Sequence, residues 1–72
     1  MNNIPIGNAG KFAYDVLRVR LKCHVMQSEQ GFYIGTFDDS GPISRESVET
    51  YSTFDDANTA LVNNTYTQNW HL

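Results

Sequence analysis

Residues 16–25, VLRVRLKCHV, decide the fold prediction because apolar and basic side chains alternate along them. Apolar residues take every second position from Leu17 to Val25. The positions between them hold four basic residues, Arg18, Arg20, Lys22 and His24. A period of two is typical of a half-buried strand, whose successive side chains point to opposite faces. A helical period also fits residues 12–26, but the β-branched valines favour a long strand over residues 17–26.

Two further strands follow, each bounded by turn residues. The sequences SEQG at 28–31 and DDSGP at 38–42 combine glycine with Ser, Asp or Pro, which favour tight turns. Between them FYIGTF at 32–37 predicts a second strand, and residues 43–51 predict a third. Connections this short join antiparallel neighbours, so the sequence predicts a three-stranded antiparallel meander.

A helix is predicted after the third strand. Within residues 52–64, STFDDANTALVNN, Thr53 is placed to cap the first turn and Asp56 lies three positions later. Asn63 and Asn64 are plausible stop residues for this helix. The tail TYTQNWHL that follows predicts a short fourth strand or an extended clasp. The predicted fold class is therefore α+β, a three- to four-stranded antiparallel meander with one helix packed on a face, in the order β-β-β-α with an optional last strand.

The length and composition indicate one small domain. The chain has 72 residues, and we expect a single α+β domain over residues 13–72, preceded by a flexible arm over residues 1–12 that is rich in Asn, Gly and Pro. No apolar stretch is long enough to span a bilayer, and the N-terminus lacks the pattern of a signal peptide. A single cysteine argues against a disulfide framework. We therefore expect a cytoplasmic protein without a membrane partner.

Catalytic and metal-binding patterns are weak in this sequence. Cys23 and His24 are adjacent, so in a strand they point to opposite faces and do not form a nucleophile–base pair. Two histidines and one cysteine without ligand spacing do not predict a zinc site. No glycine-rich phosphate loop or nucleophile elbow is present. We expect neither enzymatic activity nor a cofactor.

The charge distribution and the basic stripe point to a binding function. The net charge is −3, but residues 1–28 carry four bases and one acid, whereas residues 29–72 carry one base and seven acids. Asymmetry of this kind bears on partners more than on fold. The basic stripe joins Tyr33 and Phe37 on one sheet face if the first hairpin loop has an even length; it joins Phe32 and Ile34 if the length is odd. The residues that we predict to bind a partner are Arg18, Arg20, Lys22 and Tyr33 on the sheet, with Ile4 and Ile6 of the arm as a second contact.

The leading hypothesis is a small non-catalytic module that binds another protein, as a monomer or a homodimer. It would act as a regulator or inhibitor of a larger machine, such as the transcription apparatus, in a bacterium or in the host of a phage. One alternative is binding of single-stranded nucleic acid through the basic and aromatic sheet face. A further alternative is phosphate mimicry toward a basic protein by four acidic residues, Asp38, Asp39, Asp55 and Asp56.

Overall fold

The computed structural model describes residues 9–71 and contains three strands and two helices in that range. In chain order these elements are α1 (Lys11–Asp15), β1 (His24–Ser28), β2 (Gly31–Asp38), β3 (Gly41–Arg45) and α2 (Phe54–Asn63). The strands form one antiparallel sheet in the order β1-β2-β3, and α2 packs against β1 and β2. The predicted α+β class, the meander and the helix on one face are confirmed, and α1 is an additional element.

Both hairpins turn at the predicted glycines. Gly31 has a φ of 138° and Gly41 has a φ of 116°, a region of backbone conformation that side-chain-bearing residues rarely adopt. At Gly31 the neighbouring chain adds a steric reason, because a Cβ atom would lie 2.5 Å from the carbonyl oxygen of Tyr51. The two turns therefore fix the positions along the chain at which β1, β2 and β3 meet.

The prediction of a long first strand over residues 17–26 is wrong. The chain forms α1 first, and only His24–Ser28 belong to a strand. Arg18 has a φ of 61°, which is incompatible with an extended strand, and the amide of Val19 donates a 3.0 Å hydrogen bond to the carbonyl of Ala13. Phe12 is 1 % exposed. Burial of the Phe12 ring and the turn that follows α1 favour this arrangement over the long strand that the alternation of apolar residues predicts.

The predicted boundary between arm and domain, after residue 12, falls within α1. Ala9 and Lys22 form an antiparallel bridge, and the amide of Gly10 donates a 2.8 Å hydrogen bond to the carbonyl of Leu21. Residues 9–12 are thus part of the folded body. The remainder of the predicted arm, including Ile4 and Ile6, lies outside the described residues.

The third strand is shorter than predicted, and the tail follows the chain beyond it. β3 ends at Arg45, so residues 46–51 of the predicted strand lie outside it. Tyr51 still exchanges two backbone hydrogen bonds with Phe32, of 2.6 and 2.8 Å. The tail bonds back to residues 46–48, because the amide of Val48 donates to the carbonyl of Thr67 and the amide of Asn69 donates to that of Glu46. Ser47 and Gln68 form an isolated antiparallel bridge, so the tail is the extended clasp rather than a full fourth strand.

The second helix begins and ends where the sequence predicts. The Thr53 hydroxyl accepts a 3.1 Å hydrogen bond from the amide of Asp56, and Asn64 ends the helix in the left-handed conformation. Ala57 and Ala60 are its buried residues, and their small side chains allow the helix to lie close to the sheet. Ala60 forms a core cluster with Cys23 and Ile34, and Tyr51, Leu61 and Tyr66 pack against this cluster.

Within residues 9–71, neither helix has the length and apolar character needed to cross a membrane.

Candidate functional site

One face of the sheet carries a group of aromatic, methionine and basic side chains. Residues that pair across antiparallel strands share a face, and His24 pairs with Gly35, Met26 with Tyr33, and Gly35 with Arg45. The ring of Phe37 lies 4.8 Å from the ring of His24, centroid to centroid, on the same face. We call this surface the open sheet face, defined by His24, Met26, Tyr33, Phe37 and Arg45.

In the part of the chain that the structure describes, both helices lie on the opposite face. Ile34 alternates with Tyr33 along β2, and it belongs to the core cluster that contains Ala60 of α2. The other helix, α1, is anchored through the carboxylate of Glu46, which also accepts a hydrogen bond from the hydroxyl of Ser44 on β3. Ser44 pairs with Thr36, two residues from Ile34, so α1 too lies on the Ile34 side. The open sheet face therefore faces outward.

Arg45 is held in one place by the chain that follows it. Its Nε donates a 2.7 Å hydrogen bond to the carbonyl of Ser47, and its Nη2 donates to the carbonyls of Val48 and Glu49 and to the hydroxyl of Thr50. Each of these bonds removes freedom from a long side chain. The guanidinium group is therefore a fixed part of the surface rather than a mobile charge.

Tyr33 is the centre of this surface. The guanidinium carbon of Arg45 lies 5.1 Å from the centroid of the Tyr33 ring, which is within the range of a cation–π interaction. The ring also lies over Gly35, where an added Cβ atom would be 2.9 Å from Cε2 of Tyr33 and 3.3 Å from Cγ of Met26. Gly35 is needed at this position because an added Cβ atom would also lie 2.5 Å from the backbone carbonyl oxygen of Ser44, which cannot move aside as a side chain can. The result is a half-buried, well-supported aromatic ring.

The open sheet face combines exposed and half-buried apolar side chains with an arginine. Phe37 is 45 % exposed, and Met26, Tyr33 and Arg45 are half-buried. Tyr, Phe, Met and Arg are the residue types enriched where one protein buries surface against another. Met adapts its shape to a partner, and a fixed Arg presents donors at the edge of an apolar contact.

The structure does not bring the predicted basic residues together with Tyr33. Arg18, Arg20 and Lys22 are exposed, and all three precede β1. The guanidinium carbon of Arg20 lies 5.3 Å from the centroid of the Tyr14 ring, beside an open depression of about 300 Å³. The expected row of bases on a strand is therefore absent from residues 9–71, because the segment between α1 and β1 is not extended throughout. Of the predicted partner-binding residues within the described range, Tyr33 alone lies on the open sheet face, and Ile4 and Ile6 lie outside that range.

The register question is answered by the first hairpin. Ser28 pairs with Gly31, so the loop between them has two residues, which is the even case. Tyr33 and Phe37 accordingly share a face with His24, although not with the arginines. Arg45 was missed by sequence reasoning. The two-residue turn of the second hairpin would by itself place Arg45 opposite Ile34, and a register shift between Thr36 and Phe37 places it beside Gly35 instead, so the turn residues carry no signal for Arg45.

The four predicted acidic residues form two separate pairs. Asp38 and Asp39 lie at the β2–β3 hairpin, where Oδ1 of Asp38 accepts 2.8 Å hydrogen bonds from the amide and hydroxyl of Ser40. Asp55 and Asp56 lie in the first turn of α2. This turn is at the other end of β2, because Phe54 packs edge-on against Phe32, six residues or roughly 20 Å of strand from Asp38. The two acidic pairs do not form one surface.

Cys23 is a buried thiol that contacts the hydroxyl of Tyr66. It is 2 % exposed and its Sγ lies 3.8 Å from Oη of Tyr66. Burial raises the pKa of the Cys23 thiol, and burial followed by the neighbouring Cys23 raises the pKa of Tyr66 well above its usual range. His24 points to the opposite face and contacts Phe37. Within residues 9–71 no three His, Cys, Asp or Glu residues are grouped so as to hold a metal ion.

Comparison of the chain with protein-family models, with curated proteins and with solved structures gives no match in any of the three.

Proposed function

We propose that this protein is a small non-catalytic module that binds another protein through the open sheet face. The observation that carries the proposal is the support given to Tyr33, whose ring is flanked by the fixed guanidinium group of Arg45 and lies over Gly35. Rigid aromatic side chains lose little conformational freedom on binding, so they are favoured at the centre of interfaces. Phe37 and Met26 extend the apolar area around this ring.

A protein partner is favoured over nucleic acid by the charge distribution. The chain has a net charge of −3, and nucleic-acid-binding domains are usually basic on the surface that binds. Of the basic side chains, Arg45 is on the open sheet face, and it already donates to four acceptors of its own chain. The other basic residues considered, Arg18, Arg20 and Lys22, precede β1, so they do not form a row of bases with Arg45 on this face.

The biological role that we propose is regulation of a larger cytoplasmic assembly by occupation of one of its surfaces. A domain of 72 residues offers an area suited to one standard interface and little room for a substrate cavity. The single cysteine is free and buried, which agrees with a reducing compartment.

Site-specific photocrosslinking tests the proposal. A photoreactive phenylalanine analogue is placed at position 37, on the open sheet face, and at position 62, where Val62 is 73 % exposed on α2. In extract of the cells that produce the protein, we expect one discrete protein adduct from position 37 and none from position 62. The captured protein, once purified, is then titrated with wild-type and variant chains.

The titration separates the proposal from its alternative. Tyr33→Ala should weaken binding of the captured protein about 30-fold at low and at high salt, because a central aromatic contact contributes about 2 kcal/mol or more. The control Val62→Ala should bind like wild type. Equal affinities for wild type and Tyr33→Ala would overturn the proposal. Salt-dependent binding of a labelled single-stranded oligonucleotide that weakens in Arg18→Ala would favour the nucleic-acid alternative.

A further inference from the structure

The outer edge of β1 presents backbone hydrogen-bonding groups. β1 is at the edge of the sheet, and its outward groups follow from the pairing of β2. Phe32 and Ile34 direct their backbone groups toward residues 46–51, so Tyr33 and Gly35 direct theirs toward β1. Met26, the partner of Tyr33, therefore bonds inward. Its neighbours Val25 and Gln27 direct their N–H and C=O groups to the outer edge.

A groove lies along this edge, on the side of α2. It has a volume of about 420 Å³; its apolar lining residues include Val25 of β1 and Phe54, Leu61 and Val62 of α2, and the polar residues Lys22, His24 and Asn58 also line it. Phe54 is 52 % exposed and Val62 is 73 % exposed. An unpaired strand edge beside an exposed apolar helix surface is the arrangement that accepts an additional strand.

An extended segment already pairs with the beginning of this edge. Ala9 and Lys22 are bridged in an antiparallel sense, and the amide of Gly10 donates to the carbonyl of Leu21. Eight residues, MNNIPIGN, precede Ala9 in the sequence. Continued in the same register, position 6 falls opposite Val25 and position 4 falls opposite Gln27. Five residues separate Ala9 from position 4, and five separate Lys22 from Gln27, so the length is sufficient.

The sequence at these positions fits the requirements of the edge. Positions 4 and 6 share a face with Val25 and Gln27, which is the side of the groove, and they hold Ile4 and Ile6. Position 5 falls opposite Met26, whose backbone bonds inward, so no N–H is required there. That position holds Pro5, which has none.

We propose that Ile4–Ile6 of this chain bind the outer edge of β1 as an additional antiparallel strand, with both isoleucines in the groove against α2. The strand covers apolar area on α2 and satisfies the outward backbone groups of Val25 and Gln27. It leaves the open sheet face uncovered, so this inference is independent of the proposed function. It also assigns Ile4 and Ile6 to the chain's own fold rather than to a partner.

Amide hydrogen exchange measured by NMR on the full chain tests the proposal. We expect the amides of Val25 and Gln27 to be protected in the wild type, together with Met26. In the double variant Ile4→Asp with Ile6→Asp, protection of Val25 and Gln27 should fall at least about tenfold, because charged side chains would replace the isoleucines at the apolar lining formed by Val25, Phe54 and Leu61. The amide of Met26 should keep its protection, which shows that the sheet remains folded.

The matched control is Asn2→Asp with Asn3→Asp. It adds the same two charges to the same segment at positions that fall opposite residues 28 and 29, at and beyond the end of β1, and it should leave the protection of Val25 and Gln27 unchanged. Unprotected amides of Val25 and Gln27 in the wild type would overturn the proposal. Protection that rises with protein concentration, together with a dimer in sedimentation, would assign the edge to a second copy and would also overturn it.

Discussion

Glu46 is the residue that joins distant parts of this molecule. Its side chain is fully buried, and its carboxylate accepts hydrogen bonds from the amides of Phe12 and Ala13 at 2.8 and 3.0 Å. The hydroxyl of Ser44 and the side-chain amide of Gln68 donate to the same carboxylate. One side chain thus connects α1, β3 and the tail. A buried carboxylate is tolerated when its oxygens are supplied with donors in this way.

Replacement of Glu46 by Gln tests this role. The amide group brings an N–H₂ toward donors that need an acceptor, so we expect a loss of about 2–4 kcal/mol in the free energy of unfolding. Urea denaturation followed by circular dichroism measures the change. Glu29→Gln, at an exposed position in the first hairpin loop, is the matched control and should stay within about 0.5 kcal/mol of wild type. A Glu46→Gln variant as stable as the control would contradict the role.

Glu49 makes the contact between the tail and residues 46–49 depend on pH. Burial acts to raise the pKa of Glu49, but the hydroxyl and the amide of Thr67 donate to its carboxylate and hold the pKa below the ordinary value of 4.5. A group whose pKa is lowered on folding contributes stability above its unfolded pKa. That contribution is lost as the pH falls from 4.5 through the lower folded value.

We therefore expect Glu49→Gln to flatten the acid side of the stability profile. The difference in melting temperature between about pH 6 and about pH 3 should be smaller in the variant than in wild type. Thr67→Val, which removes the hydroxyl donor and keeps the amide, should give an intermediate profile. The control Thr65→Val alters an exposed threonine in the same segment and should follow wild type. Parallel profiles for wild type and Glu49→Gln would rule out this source of acid sensitivity.

At the scale of elements, the features that depend only on neighbouring residues were predicted correctly from the sequence. The two turns, the Thr53 cap and the Asn64 stop depend on residues within a few positions of each other, and each is present. The prediction of a long first strand was wrong because the conformation of this segment depends on a distant contact. The amide of Phe12 donates to a carboxylate 34 positions away, which no periodicity along residues 11–26 reveals.

The Thr53 cap is the element-scale feature that is simplest to test. Thr53→Ala removes the hydroxyl that accepts from the amide of Asp56, and loss of an N-cap costs about 1 kcal/mol. Thermal unfolding should show a correspondingly lower midpoint, whereas Ser52→Ala, one residue earlier and also exposed, should leave it unchanged. Thr53→Asp should restore the midpoint, because aspartate caps well and favours the positive end of the helix. Failure of this rescue would show that the threonine acts through other contacts.

At the scale of the whole molecule, the sequence identified part of the candidate site. Tyr33 was predicted from its position in the hairpin, and the even loop length placed it on the face of His24. Arg18 and Arg20, which were expected beside Tyr33, precede β1. Arg45 of β3 lies beside Tyr33 instead. The face on which Arg45 lies depends on the register shift between Thr36 and Phe37, because the turn of the second hairpin alone would place Arg45 opposite Ile34. A shift of one residue moves a side chain to the opposite face of the sheet, so the turn residues did not predict Arg45.

We expect the small core to make the described part of the chain unfold as one cooperative unit. Ile34 is fully buried between the sheet and α2, and its backbone bonds to Glu46 and Ser47. Domains are stable by about 0.05–0.15 kcal/mol per residue, which is roughly 4–11 kcal/mol at this length. Ile34→Ala costs about 2–5 kcal/mol, so it should remove a large share of the total.

We expect Ile34→Ala to lower amide protection in β3 and in α2 together, by the same factor, when hydrogen exchange is followed by NMR. The two elements lie on different sides of Ile34, and both depend on it because little other buried apolar area connects them. Thr59→Ser, which shortens an exposed side chain on α2 that does not line the groove, should leave both unchanged. Loss of protection in α2 alone, with the β2–β3 hairpin still protected, would show that the hairpin is stable without the helix and that the molecule unfolds in two steps.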